Sequence, residues 1–290
     1  MAWTPPPKRD RLLSIAIPAS TVSDIPHLRE KTLKVGLIGR ALAIFRVDEV
    51  IIYPDKKGRD QSKDAAFIAL VLRYMETPQY LRKSLFRIRP ELRYVGVLPP
   101  LRTPHHPLRK KVEDLEVGEV REGVTVEVSK DGTYVDVGVG VPVLVPKEKI
   151  PLKRRITVRI LEVGENLIAR REKRSRIQVY WGYNVKTSKL PLSQVAKKGR
   201  YDLILATSRL GDPVTSVMEK LRRLWETSKK ILVAFGAPDR GLREILADEG
   251  VKIEEFAHLI VNTVPRQGTE TVRTEEALYA TLSILNLLDG

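Results

Sequence analysis

Three short segments of small and polar residues follow apolar, strand-like runs in the C-terminal part of the sequence. They are Ala206-Thr207-Ser208, Gly236-Ala237-Pro238 and residues 262–271. In parallel α/β sheets ligands bind beyond the carboxyl ends of the strands, and small residues let the backbone approach a ligand closely. The pattern predicts a ligand site built by three loops. Each segment taken alone is better explained by ordinary turns and helix caps, with Thr269 or Thr271 available to cap a final helix.

Motifs of several common enzyme classes are missing from the sequence. No GxGxxG or GxxxxGK[ST] pattern follows a strand-like run and no GxSxG occurs, which disfavours a Rossmann dehydrogenase, a P-loop NTPase and an α/β-hydrolase. The chain has no cysteine, which excludes disulfides and thiolate metal sites. Two of its four histidines, His105 and His106, are adjacent, a poor spacing for chelating one ion, so we expect no metal site.

Positive charge is concentrated in two blocks of the sequence. The net charge is +15, of which residues 73–111 carry +8 and residues 150–200 carry +11, so the rest of the chain carries −4. Such blocks favour a polyanion such as RNA as partner, with an ordinary solvated basic surface as the alternative. No apolar run is long enough to span a bilayer, and the first residues resemble a strand rather than a signal peptide. We therefore expect a cytoplasmic protein without a membrane partner.

The elements that must position these residues alternate between strands and helices on both sides of a β-rich segment. Before residue 97 the pattern predicts strands at Leu12–Pro18 and Glu49–Tyr53 and helices at 28–47 and 65–75. After residue 178 the same alternation returns and ends in a helix. This rhythm predicts an α/β fold with a mostly parallel sheet that is split by an insertion. We place the two parts of the split domain at 1–105 and 174–290.

The intervening segment, residues 106–173, has a different period. After a proline-rich basic linker come five short alternating runs punctuated by glycines, among them TYVDVGVG and RITVRILEV. Five short strands in so few residues predict a small OB-like β-barrel, a fold that commonly binds oligonucleotides. Tyr134 is its candidate platform for stacking a base, and a purely structural insert is the alternative.

The quoted motifs also carry a resemblance to a known family. LVAFGAPDRGLREI and LIVNTVPRQGTETVRTEEALYATLSILN resemble the knotted cofactor-binding half of the SPOUT methyltransferases. With VGVLPPLRTPHHPL and YWGYNV, nearly the whole chain resembles the archaeal and eukaryotic SPOUT subfamily whose catalytic domain is interrupted by an OB-like domain. The resemblance implies a SPOUT α/β-knot, which periodicity alone does not predict, and RNA methyltransferase activity.

This resemblance also implies a cofactor and an assembly. S-adenosylmethionine is expected to bind in the C-terminal trefoil knot, mainly through backbone groups of the three loops, and the enzyme is expected to be a homodimer with a shared active site. The positions that match the cofactor loops are Thr207, Ser208, Gly236, Ala237, Ile260, Asn262, Val264, Gln267, Gly268 and Thr269.

Two arginines are the candidate catalytic residues. The segment TLKVGLIGRALAIFRVDEV resembles the first motif of the ribose-methylating SPOUT branch, which places Arg40 near the acceptor, with a surface helix arginine as the alternative. That branch has an asparagine where Lys34-Val35 stands here, so methylation of a ribose 2′-oxygen or of a base nitrogen both stay open. Arg209 is a second candidate, for contact with phosphate. Neither His27 nor His258 stands out as a base.

Together these features predict an S-adenosylmethionine-dependent RNA methyltransferase that acts on rRNA, with tRNA as a further possibility, without a metal ion. The alternative from another class is an RNA-binding ribosome-assembly factor with a catalytically silent SPOUT fold. A duplex-DNA-binding protein is disfavoured because no helix-turn-helix or zinc-finger pattern is present.

Overall fold

The chain forms two compact units in the computed structural model, which describes residues 3–109 and 111–289. Unit 1 comprises the described residues within 1–8, 74–90 and 101–182. Unit 2 comprises residues 9–73, 91–100 and the described residues within 183–290. Each unit is therefore assembled from parts of the chain that lie far apart in sequence.

Strands and helices of both units are numbered here along the chain. The strands are β1 (Leu12–Pro18), β2 (Glu49–Tyr53), β3 (Val120–Val128), β4 (Gly132–Asp136), β5 (Val143–Pro146), β6 (Arg155–Glu162), β7 (Ile168–Arg171), β8 (Asn184–Thr187), β9 (Leu203–Pro213), β10 (Lys230–Ala234) and β11 (Leu259–Asn262). The helices are α1 (Leu28–Ile44), α2 (Ser62–Glu76), α3 (Arg82–Leu85), α4 (Leu192–Gly199), α5 (Val214–Thr227), α6 (Leu242–Asp248), α7 (Ile253–Phe256) and α8 (Thr274–Asn286). None of the described helices is long and apolar enough to cross a membrane.

A six-stranded sheet forms the centre of unit 2. Its strand order is β11-β9-β10-β1-β2-β8, and every neighbouring pair runs parallel. The central strand β1, which is apolar apart from Ser14, is almost wholly buried, as expected for a parallel strand covered on both faces. The predicted α/β fold with a mostly parallel sheet is confirmed.

Strand β9 leaves its ladder with β11 for five residues. Ala206 pairs with Ile260, but the next pair joins Asp212 to Val261, so residues 207–211 have no partner in β11. A Cβ at Gly211 would lie 2.8 Å from the backbone carbonyl of Ile260, so only glycine fits where the chain returns to the ladder. The irregularity projects residues 207–211 out of the sheet and supplies one wall of a cavity.

Helix α1 forms as the periodicity predicts, but it leaves an apolar stripe in solvent. Its packed face carries Ile38 and Leu42, which are fully buried. Leu33, Leu37 and Ile44 are instead 44%, 37% and 45% exposed. The apolar residues of α1 therefore lie on two faces of the helix, and the rest of the described chain covers only one of them.

Unit 1 contains a closed barrel of five strands in the order β3-β4-β5-β7-β6. Branched side chains such as Val135, Val143 and Val158 fill its interior. At Gly132, where φ is +154°, a Cβ would lie 2.2 Å from the carbonyl oxygen of Val145, so the backbones of β4 and β5 meet there without room for a side chain. The predicted β-barrel is confirmed, and its five closed strands are consistent with an OB-like fold.

A buried ionic network ties the barrel to other segments of unit 1. Arg155 on β6 donates to both carboxylate oxygens of Glu76, at the end of α2, and to Oε2 of Glu122 on β3 at 2.6 Å. Arg174 lies 3.2 Å from Glu76 and 3.3 Å from Glu122. The indole of Trp181 donates to Oε1 of Glu122 at 2.6 Å. Every member lies within unit 1.

This network fixes the charge states of its carboxyl groups. Burial by itself would raise the pKa of Glu76, but the hydrogen bond from His105 and the charges of Arg155 and Arg174 hold that pKa well below its usual range. Burial likewise opposes the charges of Arg155 and Arg174 at Glu122, whose pKa is nevertheless lowered. Both groups are therefore carboxylates at neutral pH, although Glu76 is only 5% and Glu122 only 1% exposed.

The adjacent histidines belong to the same cluster. Nε2 of His105 and Nε2 of His106 lie 2.9 Å and 2.8 Å from the backbone oxygen of Glu76, and since a carbonyl oxygen only accepts, both nitrogens carry the proton. Burial beside His105 lowers the pKa of His106 to about 3, so its ring is neutral at neutral pH. The pair satisfies a buried carbonyl group.

Candidate active site

A cavity of about 380 Å³ opens at the carboxyl ends of β9, β10 and β11 in unit 2. Three loops that follow or interrupt these strands form its walls, as the strand-end segments predict. Its lining residues are Thr207, Ser208, Arg209, Leu210, Phe235, Gly236, Ala237, Pro238, Asp239, Arg240, Gly241, Arg243, Glu244, Val261, Asn262, Thr263, Val264, Gln267, Glu270, Thr271, Val272, Thr274 and Ala277.

The first wall is the part of β9 that leaves the sheet. The hydroxyl of Thr207 donates to the backbone oxygen of Ala234 at 2.9 Å, which ties this wall to the end of β10. The hydroxyl oxygen of Ser208 accepts from the amide of Leu210 at 3.1 Å, a local turn that keeps the segment projecting. Both contacts hold the backbone in place without filling the cavity.

The second wall is a tight turn after β10. The amide of Ala237 donates to the carbonyl of Arg240 at 2.8 Å. A Cβ at Gly236 would lie 3.1 Å from that carbonyl oxygen and 3.2 Å from the nitrogen of Leu242, so a larger residue must displace the turn. Beneath it the hydroxyl of Tyr53 donates to the carbonyl of Phe235 at 2.6 Å, and burial raises the pKa of Tyr53 well above its usual value.

The third wall is the loop between β11 and α8. Asn262 donates from Nδ2 to the carbonyl of Arg209 at 2.9 Å and accepts at Oδ1 from the amide of Val264 at 3.0 Å, so it joins the first and third walls. Nε2 of Gln267 donates to the carbonyl oxygens of Thr269 and Glu270 at 2.8 Å and 3.0 Å. Side chains of the loop thus brace its own backbone.

Neither Thr269 nor Thr271 caps α8, so that expectation is wrong. The N-cap position is Arg273, whose amide is accepted by the carboxylate of Glu276 at 2.8 Å. The hydroxyl of Thr269 donates instead to the carbonyl of Thr271 at 2.9 Å. The threonines shape the loop, and the helix begins three residues after Thr271.

The structure brings most of the predicted site residues together in this cavity. Its lining includes Arg209 and seven of the ten residues matched to the cofactor loops, namely Thr207, Ser208, Gly236, Ala237, Asn262, Val264 and Gln267. Gly268 and Thr269 follow Gln267 in the same loop, and Ile260 lies in β11 directly before Val261. The site assignments themselves stay predictions.

Arg40 lies elsewhere in unit 2. It occupies α1, and its Nη1 donates to the carbonyl of Pro100 at 2.9 Å. Its charge also acts on the phenol of Tyr279 in α8. Along the helix it falls between Leu37 and Ile44, within the exposed apolar stripe.

Arg209 occupies the wall itself. Its side chain is exposed, and Nη1 donates to the carbonyl of Glu270 at 2.8 Å. That bond holds the guanidinium at the rim while its other N–H groups can face a ligand.

The sequence patterns did not predict that charged residues of the second and third walls belong to the site. Hydrogen bonding from Lys56 lowers the pKa of Asp239, which pairs with that lysine at 2.8 Å. Arg240 pairs with Asp248 at 2.9 Å and Arg243 with Glu254 at 2.7 Å. The side chains of Glu244 and Glu270 are exposed and have no hydrogen bond or ion pair to any described residue.

This arrangement suits a ligand with an apolar ring and a polar tail. The cavity volume lies in the range of small-molecule sites. Leu210, Val264 and Val272, which are exposed or partly exposed, supply apolar surface, whereas backbone groups of three loops supply donors and acceptors. Two carboxylates without partners add groups that can accept a proton or bind a cation.

Comparisons with known proteins indicate the family to which the chain is similar. A family model described as "Putative RNA methyltransferase" matches residues 12–285. An uncharacterized protein of Haloarcula marismortui is 36% identical, over 95% of this chain and 99% of its own length. The 28S rRNA (uridine-N(3))-methyltransferase of Homo sapiens is 30% identical over 96% of this chain and 78% of its own. The Drosophila melanogaster protein of the same name is 34% identical over 94% of this chain and 61% of its own.

Proposed function

The chain belongs to this family of RNA methyltransferases, and on that premise we propose that it transfers a methyl group from S-adenosylmethionine to N3 of a uridine in ribosomal RNA. The three-loop cavity is the observation that carries the proposal, because it supplies a cofactor-sized site within the matched region. The names of the human and fly relatives favour a base nitrogen over a ribose oxygen.

The residues of the cavity fit the proposed cofactor. Leu210, Val264 and Val272 offer an apolar surface for the adenine ring, and backbone groups of the turn after β10 offer polar partners. Gly236 keeps that turn closed where a Cβ would meet Arg240. When bound, S-adenosylmethionine supplies a methyl group already activated on a sulfonium. The protein's own task is to hold the acceptor in line and to exclude water.

Methylation at N3 of uridine also requires removal of the proton on that nitrogen. Among the described residues that line the cavity, Glu244 and Glu270 have carboxylates without a hydrogen-bond partner. Glu270 is the better candidate because Arg209 donates to its backbone oxygen, so the loop holds residue 270 next to a cation. Glu270 would accept the N3 proton, and Arg209 would stabilise the negative charge that develops on the uracil or bind the adjoining phosphate.

We further propose a homodimer with α1 in its interface. Leu33, Leu37 and Ile44 form one stripe along α1 that stays more than a third exposed in the monomer. Arg40 lies in the same stripe at helical spacing. Covering the stripe with a second copy would bury the leucines, and it would allow Arg40 to serve the partner's active site, since it does not line the cavity of its own chain.

Two measurements test the proposed function. Calorimetric titration with S-adenosylmethionine is expected to give micromolar binding at one site per subunit. Incubation of the protein with unmodified ribosomal RNA and the cofactor, followed by nucleoside mass spectrometry, is expected to give 3-methyluridine. A 2′-O-methylated nucleoside would overturn the assignment to the base, and tight RNA binding without cofactor binding would favour the silent assembly factor.

A further inference from the structure

The loop that follows α3, residues 86–90, presents an isolated apolar side chain between two arginines. Residues 86–89 adopt neither helix nor strand, and Arg87, Ile88 and Arg89 are all exposed. Ile88 is 105% exposed, the highest value among the large apolar side chains of the described residues. A partner that covers this isoleucine would gain the free energy of burying its whole apolar side chain.

The base of this loop is packed, so the exposure of Ile88 does not come from a loose segment. The ring of Phe86 meets the ring of Tyr74 edge-on, with 5.2 Å between centroids. The guanidinium of Arg82 lies 4.6 Å from the same tyrosine centroid and donates to the carbonyls of Thr77 and Met75 at 3.0 Å and 3.2 Å. These contacts, all within unit 1, mount the loop on a fixed support.

Charge identifies the kind of partner. Residues 82–90 contain four basic and no acidic side chains. Lys83, Arg87 and Arg89 are exposed and have no ion pair with any described residue. Arginine binds phosphate bidentately and stacks on bases, so two arginines flanking an aliphatic side chain suit a nucleic-acid strand. A membrane surface fits less well, because one isoleucine outside an amphipathic helix offers little apolar area.

We propose that the 86–90 loop opens structured RNA, with Arg87 and Arg89 on phosphates and Ile88 inserted against an unstacked base. The inference rests on the proposed function and deepens it. N3 lies on the Watson–Crick edge of uracil, so a paired uridine must leave its helix before that atom is accessible. Apolar side chains inserted between base steps are a known means of unstacking a helix, and flanking cations compensate part of the cost.

The test compares two variants with matched controls on two RNA probes. The probes are a hairpin with a uridine beside 2-aminopurine at the loop-closing step, and an unpaired polyuridine strand. The variants are Ile88→Ser and Arg87→Ala/Arg89→Ala. The controls are Val141→Ser, which alters another exposed apolar side chain, and Arg222→Ala/Arg223→Ala, which removes an exposed arginine pair outside both basic blocks.

Ile88→Ser is expected to weaken hairpin binding about tenfold, the equivalent of losing one buried isoleucine, and to abolish the 2-aminopurine fluorescence increase. Its polyuridine affinity and salt dependence should stay unchanged. The double arginine variant is expected to weaken binding to both probes and to lower the slope of log affinity against log salt by about 1.5 to 2. Val141→Ser and the Arg222/Arg223 variant should behave as wild type.

Ile88→Ser that binds the hairpin like Val141→Ser would overturn the proposal, as would an equal loss on both probes. Binding to phosphatidylserine vesicles that depends on Ile88 would assign the loop to a membrane surface instead. Failure of the proposed function has a different signature, since wild-type protein would then open the hairpin without ever producing methyluridine in ribosomal RNA.

Discussion

Arg155 is the residue whose removal tests the buried network of unit 1 most directly. Its guanidinium neutralises two carboxylates, Glu76 and Glu122, that have almost no access to water. In Arg155→Ala, Arg174 is the cation that still reaches both, and its side chain is 36% exposed. The variant therefore leaves two neighbouring buried negative charges largely uncompensated, which is far costlier than losing a surface ion pair.

The magnitude follows from the cost of breaking a buried ion pair, about 3–5 kcal/mol at neutral pH. In the wild-type protein the lowered pKa values of Glu76 and Glu122 contribute stability that is present above the unfolded pKa of about 4.3 and is lost as pH falls through the folded values. In Arg155→Ala burial dominates and raises the pKa of both groups, so the variant's penalty fades as pH falls from the raised folded values towards about 4.3. Below about pH 4.3 the wild-type contribution is lost in turn. The stability difference between the two proteins should therefore shrink in acid.

Urea unfolding, followed by the fluorescence of Trp181 with the other tryptophans replaced by phenylalanine, measures this difference at several pH values. Arg155→Ala should lower the free energy of unfolding by about 3–5 kcal/mol at neutral pH. Arg155→Lys keeps the charge but loses the planar set of N–H donors, so its stability should lie between those of the wild type and Arg155→Ala. The control is Arg154→Ala, which removes an exposed neighbour. A penalty that does not depend on pH would refute the electrostatic argument, and the two alanine variants being equally stable would refute the network's importance.

Three further predictions concern the candidate active site and Arg40. Gly236→Val should weaken S-adenosylmethionine binding about tenfold or more because its side chain must displace the turn at Arg240. The matched control Gly164→Val, with open space around its Cβ and no place in the cavity lining, should bind normally in calorimetry. Glu270→Gln should lower the methyl-transfer rate at neutral pH by about a hundredfold without changing cofactor affinity, and its rate should keep rising with pH; a larger loss in Glu244→Gln would transfer the role of base to Glu244. Arg40→Ala should reduce transfer far more than cofactor affinity in a filter-binding assay, and equal loss of both would show that Arg40 is structural.

The sequence predicts the sheet well where burial on both faces leaves a simple signal. Leu12–Pro18 and Glu49–Tyr53 have the same limits in prediction and structure, because each is a short, mainly apolar run of the kind that a buried parallel strand accommodates. The end of α1 is less predictable. The apolar pattern continues to residue 47, but the helix ends at Ile44. Arg46 adopts φ of 52°, a left-handed conformation that the sequence would signal only if a glycine stood there.

The candidate site is predictable only in part for a related reason. Thr207 and Gly236 can be predicted because small residues directly after an apolar run mark the end of a strand in the sequence. Glu244 lies in the first turn of α6, where an acidic residue is ordinary helix chemistry, and nothing local distinguishes it from a solvated side chain. Its place in the cavity depends on how the turn after β10 folds back, and local sequence does not encode that path.

The adjacent histidines are another case in which the sequence pattern does not reveal what the residues do. His105 and His106 look like a poor metal site in sequence, and the structure gives them another task, which is to satisfy the carbonyl of Glu76 where the chain leaves α2. A Cβ at Gly182 would lie 2.5 Å from the ring of His105, so the segment that follows the barrel closes on the same cluster. The buried polar groups around Glu76 thus fix the chain where it leaves α2 and where the barrel segment ends, and they offset the cost of their burial by hydrogen-bonding to one another.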